Sequence, residues 1–377
     1  QRDVWVSIRD YENFGEEDID QRWNTNGGTL NGEEFNMRRN FYNKPLATFN
    51  WDWKISEKVN LATSLYGSAG RGGGTGPRGR NYDVLPYRED LTSFFIEDGK
   101  TEFRRTDGTV NYDAIVTDNR SGASAYTGAI SKFEGSLLGS NGYRDDGVFR
   151  SGMIRRASMN SHNWVGGISN LNINADKMRY SIGVDLRNYK GFHYRVLNNL
   201  MGFDGYYSTG NKNSAGQVIE TLIEASPFNN TGLQGPKIDY YNIGYVGWQG
   251  VNGLAEYSGD KLTAVLQAGL SNQSFQREDL FDQPGTPLSE KKNVGGGYLK
   301  GGANLNLNEN SNIFFNAGYI SRQPNFDGVF PNYANKVNED LQNEKIQSIE
   351  LGYGYIGNGF KLNVNVYSTV WGNRFVS

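Results

Sequence analysis

The side chains able to ligate, ionise or attack set the first limits on what this chain can do. It has no cysteine and two histidines, His162 and His193, so thiol nucleophiles, iron–sulfur clusters and cysteine-ligated zinc are excluded together. The histidines lie far apart in sequence, each beside aromatic or Asn-rich strand sequence, and are read as polar tips near a surface rather than as a metal pair. Acidic residues number 41, yet no two are singled out by their surroundings as the paired carboxylates of glycoside hydrolysis. The chain is therefore read as a non-enzyme without a cofactor.

Three local runs invite a sharper reading. Glu16-Glu17-Asp18-Ile19-Asp20 offers hard oxygen ligands but lacks the glycine and the later bidentate glutamate of a calcium loop, and is read as a solvated loop. Gly70 to Gly76 resembles a phosphate cradle but lacks the Gly-Lys-Ser/Thr ending, and it follows an amphipathic strand rather than a buried one. A glycine-permitted bend or a close backbone approach at a rim is the better reading. Arg71, Arg78 and Arg80 flank it, either as a solvated rim or as a site for an anionic substrate or lipid headgroup. The stretch from Tyr194 to Tyr207 is richest in contact chemistry. Its tyrosines can stack on sugar rings or peptide side chains, and Arg195, Asn198 and Asp204 supply directional bonds. Arg195, Asn198, Asp204, Tyr206, Tyr207 and Arg71 are the candidate ligand- or partner-binding residues. The alternative is that this stretch is an apolar staple holding a large loop in place.

The elements that must position these residues are strands. Ala47, Phe49, Trp51, Trp53 and Ile55 alternate with Thr48, Asn50, Asp52 and Lys54, and after Ser56-Glu57-Lys58 the pattern resumes with Val59, Leu61, Leu65 and Ala69. Period-two alternation puts one set on each face of a sheet. Similar hairpins are predicted over about 163–189, 243–275, 295–321 and 346–371, turning at Ala175-Asp176-Lys177, Ser258-Gly259-Asp260, Asn308-Glu309-Asn310 and Gly357-Asn358-Gly359. A further strand near 2–9 brings the predicted count to eleven. The connections between hairpins, roughly 70–162, 190–242, 276–294 and 322–345, are long.

Short turns on one side and long excursions on the other match an outer-membrane β-barrel, whose turns face the periplasm and whose loops face outward. Mean hydropathy is −0.64 and no run reaches the roughly 18 apolar residues of a spanning helix, but an alternating barrel strand needs no such run. Trp51 and Trp53 near a turn, with Trp164 and Trp371 near loop ends, suit two interfacial girdles. A net charge of −3 carries no nucleic-acid signature. An odd strand count, together with an end at Arg374-Phe375-Val376-Ser377 lacking a terminal aromatic, predicts that residues 1–377 are part of a wall of about 22 strands. The first residues, Gln1-Arg2-Asp3-Val4-Trp5, show neither an initiator Met nor an apolar signal core.

Specific segments carry a family resemblance. Asn40-Phe41-Tyr42-Asn43-Lys44-Pro45, Gly70 to Gly76, Met159 to Ile168, Gly183 to Val196, Pro324 to Pro331 and Asn343-Glu344-Lys345 through Gly354 together resemble the TonB-dependent receptors of Bacteroidota, the SusC-like group. The resemblance runs from about residue 10 to the end. It implies the central barrel portion of such a receptor, with plug domain and final barrel strands outside this sequence. It also implies residence among outer-membrane lipid of a Gram-negative bacterium and import of an oligosaccharide or oligopeptide. A SusD-like surface lipoprotein would cap the loops, and TonB would act through a segment not present here. A structural or scaffolding subunit of a larger outer-membrane assembly is the competing reading. A soluble secreted β-protein is disfavoured because its apolar rows would face water.

Overall fold

The computed structural model describes residues 24, 26–80, 105, 107–121, 137–139, 152–214, 216–228, 231–357 and 359–375. The acidic run 16–20 and the predicted strand 2–9 lie outside them.

All five hairpins form. In chain order the strands are β1 Gly27–Leu30, β2 Glu33–Asn36, β3 Asn40–Asn43, β4 Leu46–Lys54, β5 Val59–Arg80, β6 Val110–Asn111, β7 Leu137–Gly139, β8 Gly152–Ala175, β9 Met178–Asn199, β10 Gly205–Ser208 and β11 Gln217–Ile219. There follow β12 Ile238–Ser258, β13 Leu262–Asp279, β14 Lys292–Asn308, β15 Ser311–Arg322, β16 Glu344–Gly357 and β17 Phe360–Gly372. Eleven of them make one antiparallel sheet in the order β17-β16-β15-β14-β13-β12-β9-β8-β5-β3, with β4 also on β5. The fold is all-β with a wholly antiparallel main sheet; the short parallel pairs β1–β6 and β7–β10 lie outside it. Among the described residues its eleventh strand is β3, which continues the line of β4 along the far half of β5. Pro45, without an N–H to donate, falls at the break between them.

The strands run well past their predicted limits. β5 continues as a strand through Gly70 to Gly76, in the same register with β8 on either side of Arg71-Gly72. The close approach expected there does occur: a Cβ on Gly70 would overlap the His162 ring, one on Gly72 the Tyr42 ring, and one on Gly73 would stand 2.5 Å from the Ser158 carbonyl oxygen. The connections shrink accordingly to 81–151, 200–237, 280–291 and 323–343.

Cross-strand register separates the two faces. One carries Phe49 opposite Leu65, Val251 opposite Val184 and Leu270, Leu299 opposite Ala268 and Tyr319, and Leu351 opposite Phe315 and Val366. Ile182, Leu270 and Val366 on this face are 60%, 71% and 72% exposed, so the described chain leaves the band uncovered. The other face is polar. Asn60, Asn172 and Ser181 align across it, and Asn316 and Asn365 both donate to the Glu350 carboxylate at 3.0 and 2.8 Å.

Trp51 and Trp53 lie on the apolar face near the turn, rings stacked at 5.8 Å. Trp164 and Trp371 do not join them. Trp164 pairs with Ser68 and Tyr189, and Trp371 with Ile346, one residue out of step with the apolar Val165 and Val370. With a period of two, that single step turns both rings to the polar face.

Beyond the apolar band the long strands are clothed on both faces. On the apolar side, β1, β2, β6 and the helix Tyr112–Ser121 bury Phe35, Met37, Tyr112 and Ile115 against Met153 and Met201. Ile223, from the connection before β12, packs with Met159, Tyr194 and Val196. On the polar side, Tyr206 and Ile219 pack on Ile154, Leu197 and Ile238, while Val329 and Phe330 pack on Phe275.

Candidate functional site

Near the upper edge of the band, strands β5, β8, β9 and β12 bring five bulky or charged side chains together on the polar face. Arg187 pairs in register with Gly166 and Trp248, and Gly166 pairs with Tyr66. Gly166 has a local reason to be glycine, since a Cβ there would stand 2.5 Å from the Tyr66 hydroxyl oxygen. Tyr66 meets Trp164 edge-on at 5.3 Å, and the Arg187 guanidinium lies 5.9 Å from the centre of the Trp164 ring. Arg187 Nη2 donates to Asp185 Oδ2 at 3.4 Å.

Four buried atoms in this cluster have no hydrogen-bond partner among the described residues: Trp164 Nε1, Trp248 Nε1, Arg187 Nε and Asp185 Oδ1. A buried polar atom left unsatisfied costs about 1–3 kcal/mol, so these groups reward a side-chain rotation that turns them toward a solute. The patch offers aromatic faces, three donors, an acceptor and one guanidinium–carboxylate pair. Stacking with directional bonds is the chemistry of a sugar ring or a peptide segment.

Nearer the loop end of the same face, Asp239 sits with φ 62° in the bulge between Ile238 and Tyr241 that breaks the β12 ladder. Its Oδ2 accepts from Arg195 Nη1 at 2.8 Å, and its Oδ1 from Arg78 Nη2 at 3.1 Å and the Tyr206 hydroxyl at 3.3 Å. Burial and then the Asp239 charge push the Tyr206 hydroxyl above its ordinary pKa. Burial acts to lower Arg78, but Asp239 and Tyr206 outweigh it and the net shift is upward. This knot ties β5, β9, β10 and β12 together.

The structure divides the six sequence candidates. Arg195 and Tyr206 meet through Asp239 on the polar face. Asn198 accepts from Arg155 Nε at 2.5 Å and donates to the Ile223 carbonyl at 2.9 Å on the apolar side. Arg71, on that side too, donates through Nη1 to the Gly70 and His162 carbonyls at 2.8 and 2.9 Å and to Asn163 Oδ1 at 3.2 Å. Asp204 is exposed and Tyr207 half-buried, both in the connection between β9 and β12. Trp164, Asp185, Arg187 and Trp248 were not among the candidates. Their common parity along neighbouring strands is the signal that could have gathered them, once the register between hairpins was known.

No family model matches the chain, and no curated protein matches it. Solved structures do. The open form of the ferric-catecholate import receptor Fiu from E. coli K12 is similar at 10% identity, over 97% of this chain and 46% of that one, with a TM-score of 0.47. The copper transporter OprC is similar at 11% identity over 88% and 39%, with a TM-score of 0.49. The RagAB peptide transporter is similar at 13% identity over 88% and 40%, with a TM-score of 0.32. The chain thus spans less than half the length of each of these structures.

Proposed function

We propose that this chain is wall and loops of a TonB-dependent outer-membrane importer of SusC-like type in a Gram-negative bacterium. The observation that carries the reading is the sheet itself: eleven antiparallel strands, tight turns at one end, long connections at the other, and an uncovered apolar face backed by a polar one. In water such a face would be an exposed patch far larger than folded monomers tolerate; in a bilayer it is the surface that lipid covers. Among the described residues strand β17 has one partner, and in hydrocarbon its free backbone groups require another, which supports a wall closed by strands beyond the described ones.

The polar face then lines a lumen. Tyr66, Trp164, Asp185, Arg187 and Trp248 form a step on which an oligosaccharide or oligopeptide is held as it passes. A SusD-like lipoprotein covers the loop end, where exposed Asp204 and half-buried Tyr207 are the contact residues of a segment otherwise packed inward, and TonB supplies energy through a segment outside this sequence. The test is growth of a strain carrying the full-length protein with Trp164→Ala and Arg187→Ala on defined oligosaccharides and oligopeptides. Uptake should fall at least tenfold for one substrate class while the barrel still assembles. Undiminished uptake of every substrate, with the protein held in a stable assembly complex, would instead favour the scaffolding role.

A further inference from the structure

The apolar face ends abruptly. Ascending from the turns, Leu186 gives way to Asn188 and Lys190 on β9, Val165 to Asn163 on β8, and Leu270 to Asn272 and Ser274 on β13. Just above that boundary lies a cavity of about 480 Å³. Its floor is Val165, Asn188, Gly247 and Ser274, a row with little bulk at Gly247. Its upper rim is Asn163, Lys190, Tyr245 and Gln276, with Lys291 beside it. Floor and rim side chains share the parity of the apolar rows, and the row between them, Ser68, Trp164, Tyr189, Val246 and Phe275, passes beneath with the opposite parity, so the cleft opens on the apolar side of the sheet.

The cleft is cationic. Lys190 Nζ lies 5.1 Å from the centres of both the Phe192 and Tyr245 rings, and no carboxylate pairs with it among the described residues. Arg71 extends the row: it is bonded to Asn163, which pairs with Lys190, and all the acceptors of Arg71 are neutral. Two carboxylates stand near, Glu278, held by the Tyr245 hydroxyl at 2.7 Å, and Glu290, next to Lys291 in sequence. Above the rim the outer face is closed by protein, where Ile223 and its neighbours pack on Met159 and Tyr194. The cleft is thus bounded by an apolar band below and protein above, at the depth of lipid headgroups.

We propose that this cleft binds the phosphate of an anionic lipid headgroup, Lys190 and Lys291 meeting the charge, Asn188, Ser274 and Gln276 bonding its oxygens, and the acyl chains lying on the rows below. The proposal rests on the membrane-wall reading above. The test is native mass spectrometry of the full-length protein released from nanodiscs made with phosphatidylglycerol or with phosphatidylcholine. Wild type should retain phosphatidylglycerol preferentially, and Lys190→Gln/Lys291→Gln should retain at least fivefold less of it, while Lys58→Gln/Lys177→Gln at the turn end should not change retention. Equal retention by wild type and the Lys190/Lys291 variant would overturn the cleft assignment and leave the barrel intact. Displacement by millimolar inorganic phosphate alone would assign the cleft to a soluble anion instead. A protein that stays in solution without detergent or lipid would overturn the wall reading itself.

Discussion

Arg195 on β9 closes on Asp239 across the bulge at the start of β12, Nη1 to Oδ2 at 2.8 Å, with the two side chains 24% and 13% exposed. The contact joins strands whose ladder has just been interrupted, and the second oxygen of Asp239 is shared by Arg78 and Tyr206.

Asp239→Asn should therefore loosen the loop end rather than the wall. It leaves two half-buried guanidinium groups without their carboxylate, which at this exposure costs about 1–3 kcal/mol. Hydrogen exchange should show residues 205–219 opening at least tenfold more often, with β13 to β17 unchanged. Uniform destabilisation across the sheet would refute the local role.

The two faces can be read out chemically, because the chain has no cysteine of its own. Ser181→Cys, on the polar face, should react with a membrane-impermeant maleimide in lipid, and Val184→Cys, on the apolar face, should be protected. Equal labelling of both would contradict the assigned faces.

Gly28 pairs with Val110 in the short parallel ladder of β1 and β6, and a Cβ there would overlap the Val110 carbonyl oxygen. Gly28→Ala should separate the two strands at a cost of about 1–3 kcal/mol. Gly32 sits at φ 79°, and a methyl group added there would have nothing within 4 Å, so the same change should show only the backbone penalty of about 1 kcal/mol. Exchange protection of β1 and β2 in the two variants distinguishes them.

Lys237 gives a pH signature. Its ammonium bonds the Leu233 carbonyl at 3.1 Å and the Gly235 carbonyl, and lies 5.3 and 5.1 Å from the Tyr194 and Tyr241 ring centres. Burial lowers its pKa to about 8 from 10.5. Between those values the unfolded segment binds more protons than the folded one, so stability rises with pH from about 8 to 10.5 and is independent of this group below 8. Exchange in 223–237, corrected for intrinsic rates, should become more protected across that window, and Lys237→Met should abolish the change. A segment that loosens on going from pH 8 to 10 would contradict the assignment.

The sequence made the five hairpins legible because, within the band, one face is apolar and the other polar, and alternation is the direct imprint of that asymmetry. Above the band and the cleft the same strands continue through Gly73–Arg78, Met153–Met159 and Tyr194–Asn199, where protein packs on both faces. The pattern fades into glycine, arginine and asparagine that read as loop. Trp164 and Trp371 show the complementary limit: proximity to a loop end is visible in sequence, whereas facing is decided by one residue of register. The polar cluster was illegible for a related reason: Trp164 and Arg187 share one hairpin, but Tyr66 and Trp248 belong to two others, set in register with it across the long connections. Arg195 and Tyr206 could be picked out by residue type, but their partner Asp239 could not, because nothing local marks it for the bulge.

In the wall every strand from β8 to β17 lies beside its predecessor or successor in the chain. Its hairpin ladders consequently close short chain segments at the turns, and after the first hairpin each new one adds to the edge left by its predecessor in the chain. Growth of the sheet then alternates steps of low contact order at each turn with slower steps in which the β5–β8 and β9–β12 ladders close over the connections 81–151 and 200–237. A change in the length of those connections therefore acts on the slower steps, and a change at the turns on the faster ones.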